Sequence, residues 1–208
     1  MAPAAAATVA VAAKHGFYLA GGTGLSLLLR HRLSVDLDYF TNGSFDAEQV
    51  LADLTRADPR GHHGAVTAGA VYWHVHGDQH LTASFISAQG SPSALTEARL
   101  LTQPMTVASL LDIAAMKSVA VIGRSEKKDY VDLATIIAFG RLQLPQMLAF
   151  NRQKLAATSY HEVLLLRSLV YFDEIEADPM PQMTIDLDWT RTKAILTDVV
   201  ARYVKSGI

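Results

Sequence analysis

The stretch Phe17-Tyr-Leu-Ala-Gly-Gly-Thr-Gly-Leu-Ser26, continued by His31-Arg-Leu-Ser-Val-Asp-Leu-Asp-Tyr-Phe-Thr41, decides how this chain folds. Its first part predicts a short apolar strand over Phe17–Ala20 that runs into glycines, and a helix over Leu25–Arg30. Its second part predicts a strand over Val35–Thr41 that ends at a turn. A glycine turn at the start of a helix therefore comes shortly before a strand that carries acidic residues.

Asp36 and Asp38 are the acidic residues of that strand, two positions apart. Alternate residues of a strand point to the same face, so the two carboxylates lie side by side and repel each other unless a cation lies between them. Mg²⁺ in proteins is bound by one or two carboxylates together with substrate phosphates. Asp36 and Asp38 are candidate metal ligands; in the alternative, one pairs with Arg30 or Arg32 and the other caps a turn.

The segment Gly21-Gly22-Thr23 is the candidate anion site. Glycines permit a tight turn and a close approach of the backbone to a ligand, and the positive end of the following helix, with Thr23 as its N-cap, attracts phosphate. Gly-Gly turns are also common without any such role. Thirteen residues separate Thr23 from Asp36, and a phosphate turn combined with paired carboxylates favours nucleotide chemistry.

The composition narrows the class of protein. Half of the 208 residues are hydrophobic, which is ample for a buried core. A net charge of −2 gives no overall basic field for nucleic acid. The chain has no cysteine, which excludes disulfides and thiolate metal sites and fits a cytoplasmic location. The apolar start, Met1–Ala13, lacks the basic residues of a signal peptide, and no apolar run reaches the ~18 residues of a membrane span.

The periodicity divides the chain into a mixed N-terminal half and a helical C-terminal half. In the first half, Asp46 caps a predicted helix that reaches Arg56, and Gly77-Asp78 predicts a tight hairpin between strands. The predicted strands of this half beyond residue 60 cover 65–70, 71–76 and 81–87. The predicted helices cover 4–15 near the start, and 107–122, 127–139, 144–156, 160–175 and 189–204 after the loop that begins at residue 89.

A further pattern of charges lies in the helical half. Lys117 belongs to a predicted helix of alanine, valine and methionine, so we expect its ammonium group to have a partner. Arg124 is seven residues further on, about two turns, and shares its helix face. Asp129 and Asp132 share a face of the next helix. A solvated charged surface is the alternative interpretation.

The histidines of the predicted sheet offer a second metal hypothesis. His74 and His76 share a strand face, an arrangement that can bind zinc, and His62, His63 and His80 are nearby in sequence. No acidic or cysteine partner accompanies them at ligand spacing. A polar sheet face is therefore the preferred interpretation.

Taken together, these motifs resemble the AbiEii family, nucleotidyltransferase toxins of type IV toxin–antitoxin systems that are related to the mycobacterial MenT toxins. The resemblance runs in order through Gly21–Ser26, His31–Phe40, Ile113–Lys117 and Arg124–Leu133, and covers residues 15–140. It implies an α+β fold of the DNA polymerase beta type. A nucleotidyltransferase core with a small mixed sheet occupies residues 1–100, and a C-terminal helical bundle over 101–208 closes the active-site cleft.

The resemblance also implies roles for the residues of the N-terminal motifs. The Gly21–Thr23 turn holds the triphosphate of an NTP, and Ser34 lies in the same turn. Asp36 and Asp38 bind Mg²⁺ as catalytic residues. The family reaction transfers a nucleoside monophosphate from the NTP to an acceptor, which for some members is the 3′ end of a tRNA. A cognate antitoxin protein is the implied partner, and no membrane is involved.

In the helical half, the resemblance implies that Lys117 contacts the phosphates or the base of the nucleotide. It also implies that Asp129 or Asp132 completes the catalytic site and that Lys128 assists in nucleotide binding. These roles agree with the chemistry of nucleotidyl transfer, in which the protein mainly positions the reactants and neutralises their charge. Metal ions held by shared carboxylates provide much of that neutralisation.

Ser84 departs from the expected pattern. Related sites carry a third carboxylate on a later strand, and here the strand Leu81–Ser87 has Ser84 at that place. A serine holds a divalent ion far more weakly than a carboxylate does. Two alternatives therefore stay open: a catalytically weakened module that binds a nucleotide or a partner, and a small-molecule nucleotidyltransferase of the aminoglycoside-modifying kind.

Overall fold

The computed structural model describes residues 3–75, 81–89, 98–102, 105–156, 158 and 160–207. Backbone contacts divide the chain into two units. A sheet unit comprises Met1–Gly24 and Ser34–Ser109, and a helical unit comprises Leu25–Leu33 and Leu110–Ile208. The division after residue 109 differs from the predicted division after residue 100, and the segment Leu25–Leu33 belongs to the helical unit although it lies early in the sequence.

The sheet unit is built on one mixed sheet. Its strands within the described residues are β1 Tyr18–Leu19, β2 Leu37–Thr41, β3 Gly61–Thr67, β4 Ala70–Val75, β5 Leu81–Ser87, β6 Ala98–Thr102 and β7 Met105–Ala108. The strand order is β3-β4-β5-β2-β1-β7-β6. The pairs β2–β5 and β1–β7 are parallel and the others are antiparallel. The prediction of a small mixed sheet is confirmed.

Several predicted bounds differ from the observed ones. Strand β3 begins at Gly61 rather than at residue 65, and β6 and β7 were not predicted at all. Val107 was expected to begin a helix, but it lies in β7, where it pairs with Leu19 of β1. The predicted hairpin turn Gly77-Asp78 lies outside the described residues.

Two helices belong wholly to the sheet unit, α1 Pro3–Lys14 and α3 Ala47–Ala57. Helix α3 begins as predicted, because the Asp46 carboxylate accepts a hydrogen bond from the N–H of Gln49 (3.0 Å). Tyr39 of β2 is fully buried, stacks on Phe85 of β5 with ring centroids 4.9 Å apart, and its hydroxyl bonds Thr8 of α1. Because residues of a strand alternate between faces, Asp38 points away from the face that Tyr39 shares with α1.

Helix α2, Gly21–Leu29, begins in the sheet unit and continues in the helical unit. The other helices of the helical unit are α4 Leu110–Gly123, α5 Lys127–Ala138, α6 Leu144–Lys154, α7 Glu162–Ser168 and α8 Trp189–Lys205, with a 3₁₀ turn at Asp173–Ile175. Fully buried leucines and isoleucines form its core, among them Ile113, Leu133, Leu148, Leu165 and Leu196.

The predicted C-terminal helical bundle is therefore confirmed, although one helix is shorter than expected. The helix predicted over 160–175 covers only Glu162–Ser168, and a 3₁₀ turn follows at Asp173–Ile175. Among the described residues, no helix combines the length and the apolar character that a membrane crossing requires.

Candidate functional site

The glycine turn is the first turn of helix α2. The helix begins at Gly21, directly after β1, and the N–H of Gly24 donates to the carbonyl of Ala20 at 2.9 Å. N–H groups in the first turn of a helix have no acceptor within the helix and form its positive end. Thr23 lies inside the helix, so the prediction that Thr23 is the N-cap is wrong.

Gly21 packs directly against the carboxylate of Asp38. Its φ of +60° lies in the left-handed region, and a Cβ placed on it would overlap Oδ2 of Asp38 and lie 3.2 Å from Cγ. The N–H of the preceding residue, Ala20, donates to the Asp38 carbonyl at 2.9 Å. Both the backbone conformation and the available space require glycine here, and the start of α2 is held beside a candidate metal ligand.

Thr23 ties the same turn to the chain that precedes β2. Its hydroxyl lies 2.9 Å from the Ser34 hydroxyl and also within hydrogen-bond distance of the backbone carbonyl of Asp36. The structure thus brings together the N-terminal motif residues that the sequence predicted to act together. They all belong to the sheet unit.

The paired carboxylates differ in their surroundings. Strand β2 begins at Leu37, so Asp36 lies just before the strand and is exposed, whereas Asp38 lies within it and is half-buried. Asp38 pairs with Ser84 of the parallel strand β5, and Ser84 is buried. Paired residues of neighbouring strands point to the same face, so the Ser84 side chain adjoins Asp38.

Lys117 of α4 is buried between two aspartates of α5. Its Nζ lies 2.7 Å from Oδ1 of Asp129 and 2.6 Å from Oδ2 of Asp132. Arg124 forks onto Asp129 with two hydrogen bonds of 2.9 Å. The prediction that Lys117 has a partner is confirmed. Arg124 lies just beyond the end of α4 and therefore shares no helix face with Lys117, but both side chains bond Asp129.

Asp132 is fully buried and accepts hydrogen bonds from two further residues, His31 and Arg32. Arg32 donates from Nε to Oδ1 (2.7 Å) and from Nη2 to Oδ2 (2.9 Å), and Nε2 of His31 lies 2.8 Å from Oδ1. With Lys117, each oxygen of Asp132 has two donors. Sequence reasoning gave His31 no role and considered Arg32 only as a partner of Asp36 or Asp38; the signal for the contact with Asp132 was a basic pair next to the acidic motif.

The cations set the charge of these two aspartates. Burial by itself would raise the pKa of Asp129 and of Asp132, but Arg124 and Lys117 at Asp129, and Lys117, Arg32 and His31 at Asp132, hold both pKa values below the usual range of an aspartate. Both carboxylates are therefore ionised at neutral pH. The three positive charges of Lys117, Arg124 and Arg32 exceed the charges of the two carboxylates by one.

Lys128 does not belong to this cluster. Its Nζ bonds the exposed Glu126 at 2.7 Å, and its own side chain is 44% exposed. The structure thus separates Lys128 from Lys117, with which the sequence grouped it as a nucleotide-binding residue.

The histidines lie on the sheet. His62 of β3 faces His74 of β4, with ring centroids 5.5 Å apart; His76 and His80 lie outside the described residues. Over the part of the chain that the structure describes, no group of three or more histidine, aspartate or glutamate residues is placed to hold a metal ion. Asp36 and Asp38 are two carboxylates, which are hard ligands, and their number is the one that Mg²⁺ takes from a protein when substrate phosphates complete its coordination.

Comparison with known proteins connects this arrangement to a family. Residues 5–64 match the family model described as the nucleotidyl transferase AbiEii toxin of type IV toxin–antitoxin systems. The predicted resemblance to AbiEii is confirmed. The matched segment contains the glycine turn, Ser34 and both candidate metal ligands, and the match supports a nucleotidyltransferase role for the AbiEii-like chain.

Relatives of similar length support the same fold. The uncharacterized protein aq_aa25 of Aquifex aeolicus is 26% identical over 204 residues, which cover 91% of this chain and 89% of that protein. Two crystal structures from Helicobacter pylori, a candidate nucleotidyltransferase and the protein JHP933, superpose with TM-scores of 0.61 and 0.57. Each is 17% identical, and the alignments cover 98% of this chain and 92% of the other. At that identity the two structures show a shared fold.

Proposed function

We propose that this AbiEii-like chain is a Mg²⁺-dependent nucleotidyltransferase. The observation that carries the proposal is the packing of Gly21 against the Asp38 carboxylate, which holds a helix N-terminus and a metal-binding group side by side. A nucleoside triphosphate presents both phosphate oxygens and a bound divalent ion, so a site for it needs both features.

The reaction proposed is attack by an acceptor hydroxyl on the α-phosphorus of the NTP, which forms a phosphodiester and releases pyrophosphate. The N–H groups of the first turn of α2, which have no acceptor within the helix, would bind phosphate oxygens, and the Thr23 hydroxyl holds Ser34 next to that turn. Asp36 and Asp38 would hold Mg²⁺, which neutralises charge on the phosphates. For the acceptor and the partner we propose a tRNA 3′ end and a cognate antitoxin, on the family match alone.

The roles predicted for Lys117, Asp129, Asp132 and Lys128 stay predictions. The charges of the first three are paired with one another inside the helical unit, which favours a contribution to the structure of that unit. Lys128, which is partly exposed, keeps an ammonium group that an anionic ligand can reach.

The direct test is transfer of label from radioactive NTPs to total tRNA in the presence of Mg²⁺. We expect labelled RNA with the wild type and a loss of at least ~100-fold with Asp36→Asn or Asp38→Asn, since each removes a metal-binding charge. Asp198→Asn is the matched control, because Asp198 is an exposed carboxylate that pairs with Arg202 on helix α8. Wild type with no transfer to RNA, protein or small acceptors, and indistinguishable from Asp36→Asn, would refute the proposal.

Ser84 favours a second candidate function, a module that binds nucleotide without turnover. Its hydroxyl adjoins Asp38 where a carboxylate would strengthen metal binding. Calorimetric titration with an NTP and Mg²⁺ distinguishes the two functions, because the module binds nucleotide while label transfer stays at background. Adding aminoglycosides to the transfer assay tests the small-molecule alternative in the same experiment.

A further inference from the structure

Four residues, Arg30–Leu33, connect the end of α2 to the chain that enters β2, and we call this segment the connector. It begins with a left-handed residue, since Arg30 has a φ of +51° while its N–H still donates to Ser26 in the last turn of α2 (2.8 Å). The residue that follows the connector is Ser34, and Asp36 comes two residues later. The connector thus joins the phosphate turn to the carboxylates.

A segment from the far end of the sequence holds the connector backbone. The N–H of Leu33 donates to the carbonyl of Gln182, and the N–H of Thr184 donates to the carbonyl of His31, both at 2.9 Å. Between them Arg32 and Met183 form an antiparallel bridge. The Thr184 hydroxyl also donates to the carbonyl of the left-handed residue at 2.6 Å. These bonds lie within the helical unit.

Two connector side chains, those of His31 and Arg32, also form hydrogen bonds within the helical unit. His31 and Arg32, adjacent in sequence, both bond the buried Asp132 of α5. Nδ1 of His31 is buried without a hydrogen-bond partner, so Nε2 is the ring nitrogen that holds the Asp132 carboxylate. A bidentate pair between arginine and a carboxylate fixes the orientation of the two groups as well as their distance. A lysine keeps the charge but loses that orientation.

We infer that Arg32 and His31 are positioning residues of the proposed nucleotidyltransferase site, with Asp132 as their anchor. The inference rests on the proposed function. Asp132 has two donors on each oxygen and no exposed surface, so it affects the site through the connector. Because Ser34 and Asp36 follow the connector directly, a fixed connector determines their positions. A displacement of about 1 Å at a reacting group lowers the rate on the order of 10²-fold.

Three variants and one control test this inference. Arg32→Gln removes the fork, and Arg32→Lys keeps the charge without the fork. Thr184→Val removes the hydroxyl bond to the connector and leaves Asp132 untouched. Arg60→Gln is the control, because Arg60 forks onto Asp58 with bonds of 2.8 and 2.9 Å but takes no part in the connector.

The measurements are kcat and KM for the NTP, and hydrogen exchange of the amides of residues 34–38. We expect Arg32→Gln and Thr184→Val to lower kcat by roughly 10-fold or more, to change KM little and to speed amide exchange in that segment. Arg32→Lys gives an intermediate effect, and Arg60→Gln changes neither quantity. A merely structural role would lower the melting temperature and leave kcat of the folded protein unchanged.

The inference is overturned if folded Arg32→Gln and Thr184→Val keep wild-type kcat and wild-type exchange at residues 34–38. Should Arg32→Gln not fold, Thr184→Val decides alone. If the wild type transfers no label, the proposed function fails by itself. Amide exchange, together with Mn²⁺ binding followed by electron paramagnetic resonance, then still shows whether the connector positions Asp36.

Discussion

Replacing Gly21 with alanine tests the packing on which the proposed site depends. Two costs add. An L-residue at a φ of +60° is strained by about 1–2 kcal/mol. The new Cβ also overlaps the Asp38 carboxylate, and relieving such overpacking costs about 1–3 kcal/mol. We expect Gly21→Ala to lower the free energy of unfolding by about 3 kcal/mol, which for a chain of this length lowers the melting temperature by about 6–12 °C.

Gly16 provides the matched control. Its φ of +70° is also left-handed, but a Cβ there would meet nothing within 4 Å, so Gly16→Ala carries only the backbone cost of about 1–2 kcal/mol. Urea denaturation of both variants, compared at equal m-values, measures the difference. In an Asp38→Ala background the overlap with the carboxylate is gone and only the Cβ of residue 38, at 3.3 Å, stays close, so the cost of Gly21→Ala falls toward that of Gly16→Ala.

This double-mutant cycle isolates the contact between residues 21 and 38. A coupling energy near zero, or a Gly21→Ala cost no larger than that of Gly16→Ala, would show that the carboxylate does not lie against the turn. The argument for a joint phosphate and metal site would then lose its structural basis.

Three further predictions concern buried polar groups. Burial raises the pKa of Tyr39 from 10.0 to about 12. As the pH rises, the unfolded chain loses this proton before the folded protein does, so the free energy of unfolding falls between these two pH values. We expect Tyr39→Phe to remove that decline in urea denaturation measured from pH 9 to pH 11.5. Lys117→Met leaves buried carboxylates short of a counter-ion and costs about 3 kcal/mol in urea denaturation, whereas the exposed Lys128→Met costs under ~0.5. The pKa of Asp132 is held below its usual range in the folded protein. The stabilisation that its ionised carboxylate provides is therefore present above pH ~4 and is lost as the pH falls through the folded pKa. We expect the difference in free energy of unfolding between the wild type and Asp132→Asn to shrink from pH 5 to pH 2.

The parts of the fold that were predictable are those with local causes. Asp46 caps α3 through an N–H three residues away, and the strand around Asp38 alternates as its faces require. Strands β6 and β7 have no such signal, because they are short and the pairing of β7 with β1 joins residues almost ninety positions apart. Val107 was predicted to begin the following helix because apolar residues continue beyond it in the sequence.

The contacts among the candidate site residues were only partly predictable from the sequence. Spacing alone placed the glycine turn near Asp36 and Asp38, but nothing local shows that Gly21 touches the Asp38 carboxylate. The need of Lys117 for a partner followed from its apolar neighbours. Asp132 also binds His31 and Arg32, about a hundred residues earlier. Such a long-range contact leaves no periodic pattern in the sequence from which it could be predicted.

The connector has a consequence for the order in which the chain acquires its shape during synthesis. The hydroxyl that bonds Arg30 comes from Thr184, 154 residues later. At synthesis rates of about 5–20 residues per second, the ribosome needs roughly 8–30 s to reach it. Throughout that interval the residues that precede Asp36 lack their final hydrogen bonds, although the turn and the strand already exist as polypeptide. A nascent chain therefore completes the surroundings of its N-terminal motif only after residue 184 has been synthesised, which delays any activity of that motif until then.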